Sequence, residues 1–414
     1  MNTRMDRSRF NIGTYHLKPY ARTEQHVKDL ADCGIDFVCC AEYDKATLDL
    51  FEKYGVGAIT VGIVPGWWGG DGENTGTLRK VNSPEKYLAA AAKFKDHPAV
   101  WGIDIGDEPS ALDFPYYGEV YGMVNSLFPK QFPYLNLYPN YASVSRNTED
   151  ETTCQLGTKT YDEHILRYCE NVPADYLSYD FYVYCTTVRK AYENLISVAD
   201  ACRRSGRSIW IVLQVNSHVP EKWISENMLR FQAFSAMAFG VEVITWACYT
   251  AGWWYNQVLD EKGEKTAQYE KLKKINKEIK TLAPLYMEYR TADTHFVGFG
   301  GKNAKEIEGS SSIKVKESLS TGYVRDLRSE DGLGLLVGEM VSKNNDGSRA
   351  LFITAADDYN DVDHRKRAVT FTVTNSDEKI DCFGLNGKKE LLRDGAGYRI
   401  ELESNEAVIV TVRP

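Results

Sequence analysis

Through the first two thirds of the chain, apolar residues come in short continuous runs. Residues 10–15, 35–41, 58–64, 99–105, 134–138, 176–182, 208–214 and 241–246 each read as a strand. Between them the apolar positions recur at helical spacing, as in Leu272, Ile275, Ile279 and Leu282. Gly34, Gly55, Gly206 and Gly240 stand where helices stop, and Ser83-Pro84-Glu85 is a helix start. Strands apolar on both faces belong to a parallel sheet covered by helices. Eight strand–helix units over about 280 residues match the usual size of a (β/α)₈ barrel. An open doubly wound sheet is the alternative, but the glycines form no dinucleotide fingerprint.

Near residue 290 the helical period disappears. Residues 334–338, 349–354, 368–373, 398–402 and 407–412 read as short strands, with Asn344-Asn-Asp-Gly347 and Asn386-Gly387 as turns. The chain therefore divides into a barrel, residues 1–290, and a smaller antiparallel β-sandwich, residues 291–414. No Gly/Ser/Pro-rich linker separates them, so the second unit is expected to pack on the first.

Composition narrows the class. The chain has 414 residues, 43% hydrophobic and 26% charged, the balance of a folded globular protein. A net charge of −9 argues against nucleic acid or an anionic membrane as partner. No apolar run reaches the length of a membrane span. The charged N-terminus lacks an apolar signal core, and the nine cysteines lack framework spacing. Both point to a cytoplasmic protein with reduced thiols. No pattern suggests a metal or other cofactor, and the sequence is silent on oligomeric state.

Chemistry in a barrel of this kind sits at the C-terminal strand ends. Those ends carry Tyr15 and His16, Glu42 and Asp44, Trp67 and Trp68, Asp107 and Glu108, Tyr138 and Asn140, Asp180 and Tyr182, Gln214 and Asn216, and Trp246 and Trp253. Carboxylates, amides and flat aromatics dominate, and cations are few. Phosphorylated substrates need Arg, Lys or a Gly-rich loop, whereas sugars need polar groups for hydroxyls and aromatic faces for their C–H surfaces. The set favours a neutral carbohydrate. A carboxylate pair closing the buried run 99–105, with Pro109 directly after it, is costly unless it has a use.

Asp107-Glu108-Pro109 resembles the Glu-Pro at the end of strand four in clan A glycoside hydrolases, barrel enzymes that often carry an accessory β-domain. The resemblance implies that Glu108 is the general acid/base. It departs at Asp107, where the clan has Asn, and at strand seven, where the nucleophilic Glu is replaced by Gln214. An amide cannot serve as nucleophile, so a second carboxylate is expected from Asp180 or Glu42, in an inverting arrangement where the wider carboxyl separation admits a water. Asp107, Trp67, Trp68, Tyr138, Asn140, Tyr182, Gln214, Asn216, Trp246 and Trp253 are the expected sugar contacts. Within the resemblance Tyr182 orients the second carboxylate and Trp246 floors the first subsite. The reading is a glycosidase acting on a small oligosaccharide or glycoside. A second carboxylate about 5 to 10 Å from Glu108 discriminates it from a catalytically silent sugar-binding barrel. A third option is a metal-dependent hydrolase built on Glu42, Asp44 and His16.

Overall fold

The computed structural model describes residues 3–60, 76–143, 154–300, 302–356 and 366–414. Eight parallel strands close on themselves in chain order: β1 (Asn11–Tyr15), β2 (Phe37–Ala41), β3 (Gly57–Thr60), β4 (Val100–Asp107), β5 (Phe132–Leu137), β6 (Tyr176–Phe181), β7 (Ser208–Gln214) and β8 (Val241–Ala247). Closure is direct, because Gly13 of β1 is in register with Phe37 of β2 on one side and Thr245 of β8 on the other. A Cβ on Gly13 would lie 2.3 Å from the Phe37 ring, so glycine there lets that ring fill the barrel interior.

The helices follow the apolar spacing. In order they are α1 (Glu24–Asp32), α2 (Lys45–Tyr54), α3 (Leu78–Val81), α4 (Pro84–Ala92), α5 (Phe114–Leu127), α6 (Tyr161–Asn171), α7 (Val188–Ser205), α8 (Glu226–Ala238) and α9 (Ala267–Tyr286). Gly55 and Gly206 end α2 and α7 in the left-handed conformation. The helix expected over 221–239 begins later, at Glu226, where the Ser225 side chain caps it.

The remaining strands form two sheets. One orders β10 (Val315–Lys316), β9 (Tyr289–Val297), β12 (Leu335–Ser342), β13 (Arg349–Ala355), β19 (Ala407–Arg413), β15 (Lys379–Gly384) and β16 (Gly387–Lys389). The other orders β11 (Val324–Ser329), β14 (Arg367–Val373), β18 (Gly397–Leu402) and β17 (Leu392–Asp394). All pairs are antiparallel except β9 with β10. Val337, Ile353 and Val410 of the first sheet share an apolar cluster with Val369, Phe371 and Ile400 of the second. Strands β9–β11 and β15–β17 were not evident in the sequence, since charged residues interrupt their apolar alternation.

The larger sheet packs on the barrel through α8 and α9. Phe352 of β13 meets Tyr286 of α9 at a ring separation of 5.7 Å. A Cβ on Gly338 would lie 2.5 Å from the Ala238 carbonyl oxygen, so β12 reaches the end of α8 only with glycine there. Arg230 and Glu278 join α8 and α9 by two hydrogen bonds, at 2.8 and 2.5 Å.

Candidate active site

The floor of the barrel is aromatic. Tyr176 stacks on Trp210 at 4.2 Å and on Tyr134 at 6.4 Å, and the Arg7 guanidinium closes the stack from below, 5.3 Å from the Trp210 ring. Above this floor the interior turns polar along one wall. The Tyr15 and Tyr134 hydroxyls are 3.4 Å apart, and Tyr134 is 3.1 Å from Ser178 Oγ. Ser178 donates to Asn136 Oδ1 at 2.9 Å. Asn136 Nδ2 donates to Asp107 Oδ1 at 3.2 Å and to Asp180 Oδ1 at 2.9 Å. Asp180 is in turn hydrogen-bonded to the Glu108 side chain. Strands β4, β5 and β6 thus gather three carboxyl groups around one amide.

The backbone of Glu108 is held in an uncommon conformation. Its φ is 44°, in the left-handed region, and its N–H donates to the Asn136 carbonyl at 2.8 Å. Such geometry in a non-glycine residue costs about 1–3 kcal/mol and persists where the surroundings impose it. Here it turns Glu108 out of the alternation of β4, so that adjacent Asp107 and Glu108 reach the same cleft. His16 and Trp254, at the same rim, also have positive φ, of 60° and 69°.

Electrostatics separate these carboxyl groups from ordinary ones. Burial pushes Asp107 up to about 6, against the lowering effect of its hydrogen bonds from Asn136 and the Glu108 N–H. Burial and then the charge of Asp107 push Asp180 up to about 7. The bond with Glu108 acts in the opposite sense and favours ionised Asp180, as expected where Glu108 supplies the hydrogen. Interacting groups of this kind titrate as a unit.

Aromatic rings face this wall. Tyr182 packs edge-on against Trp254 at 4.7 Å and lies 6.4 Å from Trp253. Trp253 also meets Tyr15 at 6.0 Å and His16 at 5.6 Å, and it is 37% exposed, so an open indole surface borders the cleft. Burial first, and then the negative charges of Asp180 and Glu108, hold the Tyr182 hydroxyl far above the usual phenol range. They act in the same way on Tyr141, whose hydroxyl accepts the Tyr182 N–H at 3.3 Å.

No protein-family description matches the chain, and no curated protein matches it in sequence. Solved structures match it in fold. An α-amylase from Anoxybacillus superposes with a TM-score of 0.52, covering 99% of each chain at 9% identity. A glycoside hydrolase family 30 subfamily 8 xylanase from Clostridium acetobutylicum gives a TM-score of 0.48, covering 98% of this chain and 96% of its own at 10% identity. The likeness is one of fold. It spans the barrel and the β-sheets together.

The structure separates the expected site residues into distinct environments. Asp107, Glu108, Asp180 and Tyr182 come together with Trp253 nearby. Asp180, however, is in hydrogen-bond contact with Glu108 on the same wall, closer than the separation expected of an opposing carboxylate. Glu42 lies at the rim with an exposed side chain ion-paired to Lys93 of the loop after α4. Gln214 is fully buried; its Oε1 accepts the Tyr184 N–H at 3.3 Å and its Nε2 donates to the Asn216 carbonyl at 2.9 Å. Asn216 is buried as well, with Oδ1 accepting the Cys248 N–H and Nδ2 donating to the Trp253 carbonyl.

Three expected sugar contacts point elsewhere. Trp246 is directed into the helix layer, where its Nε1 donates to Asn276 of α9 at 2.9 Å, so it does not floor the cleft. Tyr138 is buried with its ring 6.5 Å from that of His164 on α6. Asn140 is tied to α7 through the Lys190 carbonyl at 2.9 Å and Asn194 at 2.6 Å. Trp67 and Trp68 lie outside the described residues. Asp44 caps α2 by accepting the Thr47 N–H at 2.7 Å, while His16 packs on Trp253, so neither is arranged with Glu42 as a metal-ligand set. Among the described residues the one cluster with ligand-like spacing is Asp49, Glu52 and His97, on the outer face at α2.

Sequence reading overlooked Asn136, Tyr141 and Gln232. Gln232 of α8 clamps the backbone of Gln214, accepting its N–H at 3.0 Å and donating to its carbonyl at 2.9 Å. For Asn136 a signal existed: an amide at an inward position of an otherwise apolar strand must find buried partners. For Tyr141, in a loop, there was none.

Proposed function

We propose that this chain is a glycoside hydrolase acting on a small oligosaccharide or glycoside, with Glu108 as the general acid. The observation that carries the reading is the hydrogen bond of Glu108 with Asp180, in a carboxyl cluster where burial raises Asp107 to about 6 and Asp180 to about 7. Protonating a glycosidic oxygen needs a carboxyl group that keeps its proton beside an apolar wall and a neighbouring charge. Glu108 passes its proton to the leaving oxygen as the C–O bond breaks, and water adds to the anomeric carbon in its place. The proton that the water sheds returns to the Glu108–Asp180 pair, which Asn136 holds in position. Trp253 and Tyr182 offer the sugar a flat apolar face and a hydroxyl.

A second reading is a barrel that binds sugar without cleaving it. It is favoured by the placement of Asp180 against Glu108 and by the amide at Gln214, which leave β6 and β7 without a carboxylate standing across the cleft.

Hydrolysis of a panel of aryl glycosides by wild type, Glu108→Gln and Asp180→Asn separates the two. Turnover abolished in Glu108→Gln supports the enzyme reading, and NMR of the first-formed anomer assigns the face that water attacks. Saturable sugar binding without turnover on any substrate supports the second reading and overturns the first.

A further inference from the structure

The opposite end of the barrel holds a cavity unlike the rest of this acidic protein. It has a volume of about 620 Å³ and lies where the starts of β7 and β8 meet the end of α7 and strand β9. That volume is within the range of small-molecule sites. Its lining brings five cationic side chains together with two carboxylates, on a chain whose net charge is −9. Arg7 is paired with Asp175 at 2.6 Å, and Lys343 with Glu242 at 3.2 Å. Arg203 is paired with Asp200, outside the lining, at 2.5 Å.

Two guanidinium groups have no carboxylate partner among the described residues. Arg207 donates only to main-chain carbonyls, those of Ala174, Cys169 and Val172. Arg290 of β9 is exposed and has no ion pair among the described residues. In addition, one Nη of Arg203 and one of Arg207 are buried without a hydrogen-bond acceptor among the described residues. A buried donor left without an acceptor costs about 1–3 kcal/mol, and guanidinium groups are suited to oxyanions because their donors form a planar fork. Uncompensated positive charge thus stands on both sides of the seam, Arg207 on the barrel and Arg290 on the β-sheets.

We propose that this seam cavity binds a small polyanion with clustered oxyanion oxygens, of the phosphate or polycarboxylate class, and that the bound anion ties the β-sheets to the barrel. The proposal is independent of the activity at the opposite face.

The test is calorimetric titration and thermal unfolding of the full chain with inorganic phosphate and with citrate, each against chloride at matched ionic strength. Wild type is expected to show saturable binding and a concentration-dependent rise in Tm. Response to phosphate alone identifies a phosphoryl ligand, and response to citrate alone a polycarboxylate. Arg290→Glu and Arg290→Gln alter an exposed side chain without an ion pair, so both should fold. The charge reversal is expected to weaken binding at least tenfold and the neutral variant by less. Lys314→Glu, outside the cavity, should bind as wild type does. A response no greater than that to chloride, or one unchanged in Arg290→Glu, overturns the proposal.

Discussion

Glu108 and Asp180 are hydrogen-bonded side chain to side chain, although they leave strands β4 and β6 on either side of β5. Asn136, on the strand between them, holds Asp180 at 2.9 Å and Asp107 at 3.2 Å. This links proton affinity in the cleft to stability. Asp107 and Asp180 titrate near 6 and 7 in the folded chain, above the ordinary carboxylate value, so the native state binds more protons than the unfolded one across the interval between. Their contribution to stability is complete below about pH 4 and is lost as pH rises through about 7. Asp180→Asn removes one of these protons. Thermal melts between pH 5 and 8 should therefore show wild type losing stability relative to the variant. A difference between the two that does not change with pH would mean that Asp180 titrates as an ordinary carboxylate.

Asn136 has each polar atom engaged, accepting from Ser178 and donating to two carboxyl groups. Asn136→Ala removes one hydrogen bond from each of three partners. A loss of about 3 kcal/mol is expected from the three together. The loss should be larger at pH 8 than at pH 5, because ionised carboxylates need the donors most. Urea unfolding at the two pH values measures it, and equal losses would contradict the assigned role.

Trp253 and Trp246 should respond in opposite ways. Trp253 is exposed beside the carboxyl cluster, and Trp253→Ala is expected to raise KM about tenfold with kcat little changed, the pattern of lost ground-state binding. Trp246 donates to Asn276 in the helix layer. Trp246→Phe should cost about 1 kcal/mol of stability through that hydrogen bond and leave KM unchanged. Steady-state kinetics and unfolding of both variants decide; a KM effect from Trp246→Phe would place that ring in the cleft after all.

Introducing a carboxylate at position 214 should not create a nucleophile. The Gln214 Nε2 donates to the Asn216 carbonyl, and Glu in its place would set oxygen against oxygen in a buried pocket. Gln214→Glu is expected to lose about 1–3 kcal/mol and gain no activity. A more active variant, measured with the same aryl glycosides, would show that the side chain can swing into the cleft.

Much of the architecture is legible in the sequence. Continuous apolar strands separated by helical spacing require a covered parallel sheet, and eight of them allow a closed barrel. Gly55 and Gly206 marked helix ends because the left-handed turn there excludes most side chains. The pair Asp107 and Glu108 stood out because charge at the end of a buried strand needs compensation. Strand ends, however, do not reveal direction. Glu42, Tyr138, Asn140 and Trp246 occupy the expected level, yet each is drawn to a partner in or beyond the helix layer, respectively Lys93, His164, Lys190 and Asn276. One residue of register, or one helix side chain with a free acceptor, is enough to reverse which way a rim residue points. Period and composition are local and reside in the sequence. The gathering of Glu108, Asp180 and Asp107 around Asn136 is not local: it required the barrel to bring three strands into register, so only the tertiary structure could decide it.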